Sequence, residues 1–455
     1  MPQRDTIAAI STAWGEAGIA IVRVSGPDAL PLALGTLRSG PSGALPPREM
    51  RLVSLLDEEG RPIDRALAVW FPGPRSYTGE DVVEIHVHGG TLVAQLCLEG
   101  LVRRGARVAE PGELTMRAFL NGRMDLSQAE AVLGIVRARS AEALRAAART
   151  LTGELSSSIL QICDEILDLQ GSLEVGLDFP EGEPPQLSDE ELRDALTTLE
   201  IGLSDLEDRC SLGMLLREGV RVVLAGRPNV GKSSLLNALL KQPRAIVTAH
   251  PGTTRDIIEE PITYRGVPLR LVDTAGIRAP LDEIEAMGIH RARAELREAD
   301  VCSWLVDGSV SLEDEDHSHI SGLDTDRSIV VLTKVDLPPV TTEEDIRSLA
   351  PDARVLSLSS KTGEGLEALK DAIVAIATRG GALDAGLNVS ARQLEDIRTC
   401  SRALDDARHA LDDGAGYDVV AGALGRARLA LDGMLGISYD DALLRSIFGR
   451  FCVGK

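Results

Sequence analysis

Apolar positions along this chain follow three kinds of spacing. Up to about residue 120, short runs such as "GIAIVRVSG", "DRALAVWF" and "EDVVEIHVHGG" sit between turn-forming residues, which predicts strands. A helical stretch from about Thr91 to Arg104 lies among them, so this part reads as a small α+β domain. From Asp125 the apolar residues take the helical period in "LSQAEAVLGIVRARSAEALRAAART", where Ser127 and Glu130 have the spacing of a capping box. A further helix is predicted to about Val175. After the loop "DFPEGEPP" another opens on the capping pair Ser188 and Glu191.

At Gly219 the spacing changes again. The runs "VRVVLAG", "VPLRLVDTAG", "VCSWLVDGS", "SIVVLTKVD" and "RVLSLSSKTG" alternate with helical segments, which predicts a largely parallel sheet covered on both faces. The alternation ends near Arg379, "GGALDAG" reads as a linker, and helical spacing resumes to the last residues. The expected organisation is multidomain, α+β and α/β. An N-terminal α+β domain spans 1–120, and an α-helical domain is split between 121–217 and 381–455. The α/β domain, 218–380, is inserted between its halves.

A chain of 455 residues is long enough for several hydrophobic cores. No uncharged apolar run approaches the ~20 residues of a membrane span, and the start lacks the basic and apolar regions of a signal peptide. The six cysteines form no C-x-x-C pair, which fits a reducing cytoplasm and argues against structural zinc or a disulfide frame. Net charge changes the picture more. At −22 the chain as a whole is repelled by polyphosphate unless a local patch or a partner supplies positive charge, although solubility alone accounts for the acidity equally well. Of 48 basic residues only six are lysine, so each lysine marks a place where a compact ammonium is a reasonable requirement.

The segment "GRPNVGKSS", Gly226 to Ser234, ends an apolar strand and opens an apolar helix, the context a phosphate-binding loop needs. Its glycines let successive N–H groups of Asn229, Val230, Gly231, Lys232, Ser233 and Ser234 turn toward phosphates. Lys232 then neutralises β/γ charge, and the Ser233 hydroxyl is the expected Mg²⁺ ligand. Downstream, "DTAG" sets Asp273 where a carboxylate holds Mg²⁺ through water, with Thr274, Ala275 and Gly276 beside the γ-phosphate. Between these motifs, "TAHPGTT" supplies Thr248, Ala249, His250, Pro251, Gly252, Thr253 and Thr254 as a switch segment, Thr254 closing over Mg²⁺. "TKVD" (Thr333, Lys334, Val335, Asp336) then gives a carboxylate that accepts from guanine N1–H and the 2-amino group and would repel the adenine N1 acceptor. "SSK" (Ser359, Ser360, Lys361) completes the base pocket. Motifs in this order at the ends of strands specify a Ras-like P-loop GTPase domain.

Two departures matter. Ile277 stands where Ras-type enzymes orient water with Gln, so the catalytic group lies elsewhere, and the carboxylates of "APLDEIEAMG" are the place to look. Thr333 stands where N-K-x-D loops carry Asn; it is shorter and lacks the amide, which predicts looser nucleotide binding. Asn229 is open to two readings, a turn former or a carbonyl ligand for a monovalent cation beside the β/γ bridge. Arg255 and Arg278 are alternative sources of the positive charge.

Together with "IVRVSG", "SYTGEDVVEIHVHGG", "PGELTMRAFLNGRMDLSQAEA", "CSLGMLLREG" and the closing "FCVGK", these motifs make the chain resemble, over its whole length, the MnmE (TrmE) family of tRNA-modification GTPases. The resemblance implies an N-terminal folate-binding domain that forms a homodimer, the split helical domain, and the inserted GTPase domain. It implies a K⁺-activated, Mg²⁺-dependent GTPase that works with an MnmG-like FAD protein, as a heterotetramer. The pair adds an aminomethyl or carboxymethylaminomethyl group to C5 of the wobble uridine (U34) of certain tRNAs. The added carbon comes from 5-formyltetrahydrofolate or another tetrahydrofolate derivative. Residue by residue, K⁺ falls to Asn229, Thr248, His250 and Thr253, Mg²⁺ to Ser233 and Thr254, and the water-orienting carboxylate to Glu285. Folate contacts fall to Arg23, Glu84, Arg123 and Lys455; at Arg123 the family often has Lys. Cys452 reads either as a small apolar residue or as a catalytic thiolate, and His86 and His88 read as strand residues rather than metal ligands. The alternatives are an Era- or Der-like ribosome-assembly GTPase, which shares G-T-T-R-D but generally carries a basic RNA-binding domain not visible here, and a structural GTPase that acts by dimerisation alone.

Overall fold

A computed structural model describes residues 5–39, 44–178, 188–240, 262–273 and 298–455. The first part runs β1 (Ile7–Ile10), β2 (Ile19–Ser25), α1 (Ala29–Thr36), β3 (Leu37–Ser39), β4 (Arg51–Leu56), β5 (Pro62–Phe71), β6 (Val82–His88), α2 (Thr91–Arg103) and β7 (Arg107–Val108). Helices α3 (Glu113–Leu120), α4 (Leu126–Arg137), α5 (Ala141–Leu151), α6 (Glu154–Asp178) and α7 (Asp189–Glu218) follow. Next come β8 (Val220–Ala225), α8 (Lys232–Leu240), β9 (Ile262–Tyr264), β10 (Val267–Asp273), β11 (Val301–Asp307), α9 (Asp314–Ser321), β12 (Ser328–Thr333), α10 (Glu343–Leu349), β13 (Arg354–Ser357) and α11 (Leu366–Ala377). The chain closes with α12 (Ala391–Asp412), α13 (Tyr417–Leu435) and α14 (Asp441–Phe448).

Two compact units emerge. The first gathers Met1–Leu133, Leu151–Glu200 and Asp396–Lys455. Its sheet has the order β3-β4-β5-β6-β2-β1-β7, antiparallel except for the β1–β7 pair. Alternation along β2 sends Ala20, Val22 and Val24 into a core with Val83 and Ile85 of β6 and Ala94 and Leu101 of α2. Ile21, Arg23 and Ser25 therefore face the opposite side. There α3 packs Leu114 against Ile7 and Ala9 of β1. Phe448 of α14 and Phe451 share a cluster with Phe119 and Leu126.

The tail fits closely against the sheet: a Cβ on Gly454 (φ +92°) would lie 2.3 Å from the Ile10 carbonyl oxygen, so only glycine passes there.

The second unit gathers Gly134–Thr150 and Ile201–Glu395. Its sheet order is β13-β12-β11-β8-β10-β9, parallel but for the β9–β10 hairpin. Near-continuous apolar strands such as β12, buried throughout, are what a sheet covered on both faces requires. One face packs on α8 and α11, and the other on Ile320 of α9 and Ile346 of α10. At the hairpin turn Gly266 (φ +84°) sits so near α5 that a Cβ would come within 1.9 Å of the Glu142 carboxylate.

Three local readings change. The long helix expected after Asp125 is two, α4 and α5, the second opened by Ser140, whose hydroxyl accepts from the Ala143 N–H at 3.1 Å. The box that opens α4 is Asp125 with Gln128, each side chain accepting from the other's N–H at 2.9–3.0 Å. Ser127 is already inside the helix, buried and donating to the Met434 carbonyl at 2.9 Å. The Ser188–Glu191 box forms as expected. "GGALDAG" is docked rather than loose: the Gly386 carbonyl accepts from Arg149 at 2.5 Å, and the following Leu387 N–H donates to the Arg209 carbonyl at 3.0 Å.

Candidate functional site

The parallel strands β8, β10, β11, β12 and β13 end on one edge of their sheet, where ligands of open α/β sheets bind. The loop from Gly226 to Gly231 leaves β8 with positive φ at Gly226 (139°), Asn229 (64°) and Gly231 (103°), and Lys232 begins α8. A Cβ at Gly226 would lie 2.4 Å from the Leu305 carbonyl, so the loop can approach β11 only as glycine. Lys232 is buried, its ammonium donating to the carbonyls of Gly226 and Arg227 at 2.6 Å each. Ser233 follows in the first helical turn. This is the curled backbone, helix N-terminus and fixed cation that a phosphate chain with Mg²⁺ needs. The left-handed backbone at Asn229 is one that Asn tolerates well, so its turn-forming role is real whether or not its side chain also meets a cation.

Thr333, at the end of β12, is buried. Its hydroxyl reaches the Val230 carbonyl at 2.7 Å and the Val306 carbonyl at 3.0 Å, tying the base loop to the phosphate loop. The shorter side chain thus makes a contact that the sequence reading did not credit to it. Lys334 adopts φ +60° and donates to Asp307 at 2.5 Å. Burial works to raise the Asp307 carboxyl, but Lys334 and Ser309 overcome it and hold the group below the ordinary carboxylate range. Asp336 accepts from the Ser359 hydroxyl at 2.7 Å, the main reason its carboxyl also lies low. The Ser359 oxygen accepts in turn from the Lys361 and Thr362 N–H groups at 3.3 and 3.2 Å, so the two base loops form one framework. Lys361 itself is exposed, 3.8 Å from Asp336.

Asp273 is the last residue of β10. Thr248, Ala249, His250, Pro251, Gly252, Thr253, Thr254, Thr274, Ala275, Gly276 and Glu285, with the alternative arginines Arg255 and Arg278, lie outside the described residues.

In the first unit, Arg23 and Glu84 are register partners on β2 and β6, joined by two bonds of 2.9 and 2.6 Å to one carboxylate oxygen. His86 approaches the other oxygen at 3.3 Å. His88 pairs with Asp64 at 2.6 Å, and no metal-binding group of three such residues occurs among the described residues. Arg123 donates to the Ser76 carbonyl at 3.1 Å. The tail carrying Cys452 and Lys455 meets the same unit, the Gly112 N–H donating to the Cys452 carbonyl at 3.4 Å. Cys97, Cys163, Cys210, Cys302 and Cys400 are buried, with thiols pushed up to about 11–12 by burial, whereas Cys452 is exposed.

Sequence reasoning missed several residues here. Arg227, inside the phosphate loop, is held by Glu313 and by the buried Asp316 of α9 at 3.1 Å. Asp307 was signalled only as an acid ending an apolar strand. Lys370, one of the six lysines, pairs with Glu367, and its ammonium lies 4.6 Å from the Tyr264 ring centroid.

Comparison with known proteins agrees with this geometry. Residues 126–452 match the family described as the MnmE helical domain, and residues 6–123 match the GTP-binding protein TrmE N-terminus. Similar proteins include the tRNA modification GTPase MnmE of Symbiobacterium thermophilum, 44% identical over 99% of both chains. Those of Heliobacterium modesticaldum (41%, 99% of both) and Bacillus subtilis (39%, 99% of this chain and 100% of that one) extend the likeness.

Proposed function

The chain belongs to the MnmE family of tRNA modification GTPases, and from that premise we propose a K⁺-activated GTP hydrolase that serves modification of tRNA wobble uridine. It would act as a cytoplasmic homodimer joined through the N-terminal domain, with an MnmG-like FAD protein as partner. The one-carbon unit would come from a tetrahydrofolate derivative held by Arg23, Glu84, Arg123 and Lys455. The observation that carries the hydrolase reading is the framework in which Val230, Thr333, Asp336 and Ser359 tie the phosphate loop to the base loops.

In this reading the loop N–H groups bind the phosphates, and Lys232 offers its charge from a position already fixed by two carbonyls. Asp336 accepts from the guanine edge, and Glu285 orients the attacking water. Bound at Ser233 and Thr254, Mg²⁺ would supply charge neutralisation between the β- and γ-phosphates. Asn229, Thr248, His250 and Thr253 are the oxygen-bearing set for K⁺. Because the chain carries a net charge of −22, the partner supplies most of the positive surface for tRNA.

The deciding experiment is nucleoside analysis of tRNA from cells lacking the protein, with and without a plasmid copy. Loss of the C5-substituted wobble uridine, restored by the plasmid, is the expected result. Unchanged nucleosides with accumulating ribosome precursors would support the ribosome-assembly reading instead.

A further inference from the structure

Between β5 and β6, the segment "SYTGE" (Ser76 to Glu80) is bound at every residue but its glycine. The Ser76 hydroxyl donates to the Glu80 carbonyl at 2.5 Å, and the Ser76 carbonyl accepts from Arg123. Thr78 shares a hydroxyl–hydroxyl bond of 2.7 Å with Ser25 of β2, and its carbonyl accepts from Asn121 at 2.7 Å. Glu80 accepts from Ser25 at 2.7 Å and from Arg117 at 3.2 Å. Arg117, buried on α3, is fixed in turn by Asp5 and Glu113 at 2.7 and 3.0 Å. Such a network, buried at Ser25, Ser76, Thr78, Glu113 and Arg117, rigidifies the backbone it holds.

Tyr77 is the residue this clamp presents. Its ring packs beside Ile7, Ala9 and Leu114, and its hydroxyl bonds with Thr115 at 2.9 Å. It is half-buried, and the guanidinium carbon of Arg23 lies 5.3 Å from its ring centroid. The same guanidinium carries the two bonds to Glu84. Ring, cation and carboxylate therefore stand in series on the face of β2 opposite the main core.

We propose that Tyr77 is a positioning residue for ligand recognition: its ring, tethered by Thr115, sets the plane of Arg23 so that the Arg23–Glu84 pair presents a donor and an acceptor side by side. That edge suits a pterin, whose amide and 2-amino groups offer the opposite pattern. The inference rests on the folate reading above and adds a residue to it. A guanidinium over an aromatic face is attracted by the ring quadrupole, and a leucine of similar bulk lacks that attraction.

The test uses the full chain and 5-formyltetrahydrofolate by titration calorimetry. Tyr77→Leu should weaken binding about tenfold, and Tyr77→Phe, which keeps the ring, by less than about threefold. In an Arg23→Gln background, which removes the cation, Tyr77→Leu should add no further loss, because the ring acts through the guanidinium. A residue that merely supports the fold would give additive losses. If Tyr77→Leu does not fold by circular dichroism, Tyr77→Met fills the same space and replaces it. Wild-type-like affinity for Tyr77→Leu, or additivity with Arg23→Gln, overturns the inference and leaves the folate reading standing. No saturable binding by the wild type sinks the folate reading, and the inference falls with it.

Discussion

Consider replacing Thr333 with valine, which keeps the shape and removes only the hydroxyl. The oxygen is buried and serves two backbone carbonyls, at 2.7 Å on the phosphate loop and 3.0 Å on β11. A hydroxyl has one proton, so at any instant one carbonyl is strongly served, and the shorter contact to Val230 is the better placed. Removing the donor leaves a buried acceptor unsatisfied, which costs about 1–3 kcal/mol. If the nucleotide-free loop relaxes to let water reach the Val230 carbonyl, bound nucleotide must reverse that relaxation, and the cost appears as affinity. At about 1.4 kcal/mol per factor of ten, fluorescent GDP should bind on the order of tenfold more weakly to Thr333→Val. Thr333→Ser, which retains the hydroxyl, should stay within about threefold of wild type. Urea unfolding of each variant detects any share of the cost that falls on stability instead. Wild-type affinity together with wild-type stability in Thr333→Val would refute the argument, since the energy would then have gone nowhere.

Replacing Na⁺ by K⁺ should raise GTP turnover on the order of tenfold or more, and Asn229→Ala should abolish the difference; equal rates in both salts remove the cation assignment. Glu285→Ala should slow hydrolysis by on the order of a hundredfold while leaving GTP affinity within about threefold, whereas parallel loss of both would make Glu285 structural. Since the Ser359 hydroxyl is the main reason the Asp336 carboxyl lies low, the ionised acceptor persists through neutral pH. Guanine affinity should then decline only as pH falls below the usual carboxylate range. In Ser359→Ala the decline should begin at higher pH, and superimposable pH profiles would disprove the linkage.

What could be read from the chain alone follows physical lines. Strands β8, β11 and β12 are near-continuous apolar runs, legible because they are buried on both faces, whereas β10 and β13, interrupted by Arg270 and opened by Arg354, were marked by the motifs that follow them. Strands β1, β3, β4, β7 and β9 were not legible, because they are short or gain their partners only through distant pairing, as Ile7 does with Ser25 and Arg107. At α4 two capping patterns overlap. Asp125 wins over Ser127 because the Ser127 hydroxyl is taken by Met434, a choice invisible to local spacing. The phosphate-loop and base-loop motifs were legible because they combine special backbone geometry, at Asn229 and Lys334, with fixed polar groups. Arg23 and Glu84 were reached through resemblance alone; nothing in a strand sequence announces that two residues so far apart will be neighbours across a ladder.

The hairpin turn at Gly266 bears on how this protein could report its nucleotide state. Strand β9 follows the "PGTTRD" segment in the chain, and β10 runs directly into "DTAG", so the turn lies between the two segments proposed to meet the γ-phosphate and Mg²⁺. Its backbone is seated against the Glu142 side chain of α5, so a Cβ at Gly266 would fit only if that carboxylate moved. A push along the hairpin toward α5 would be met first by that carboxylate, and the Glu142 side chain, paired with Arg145, would carry it to the helix.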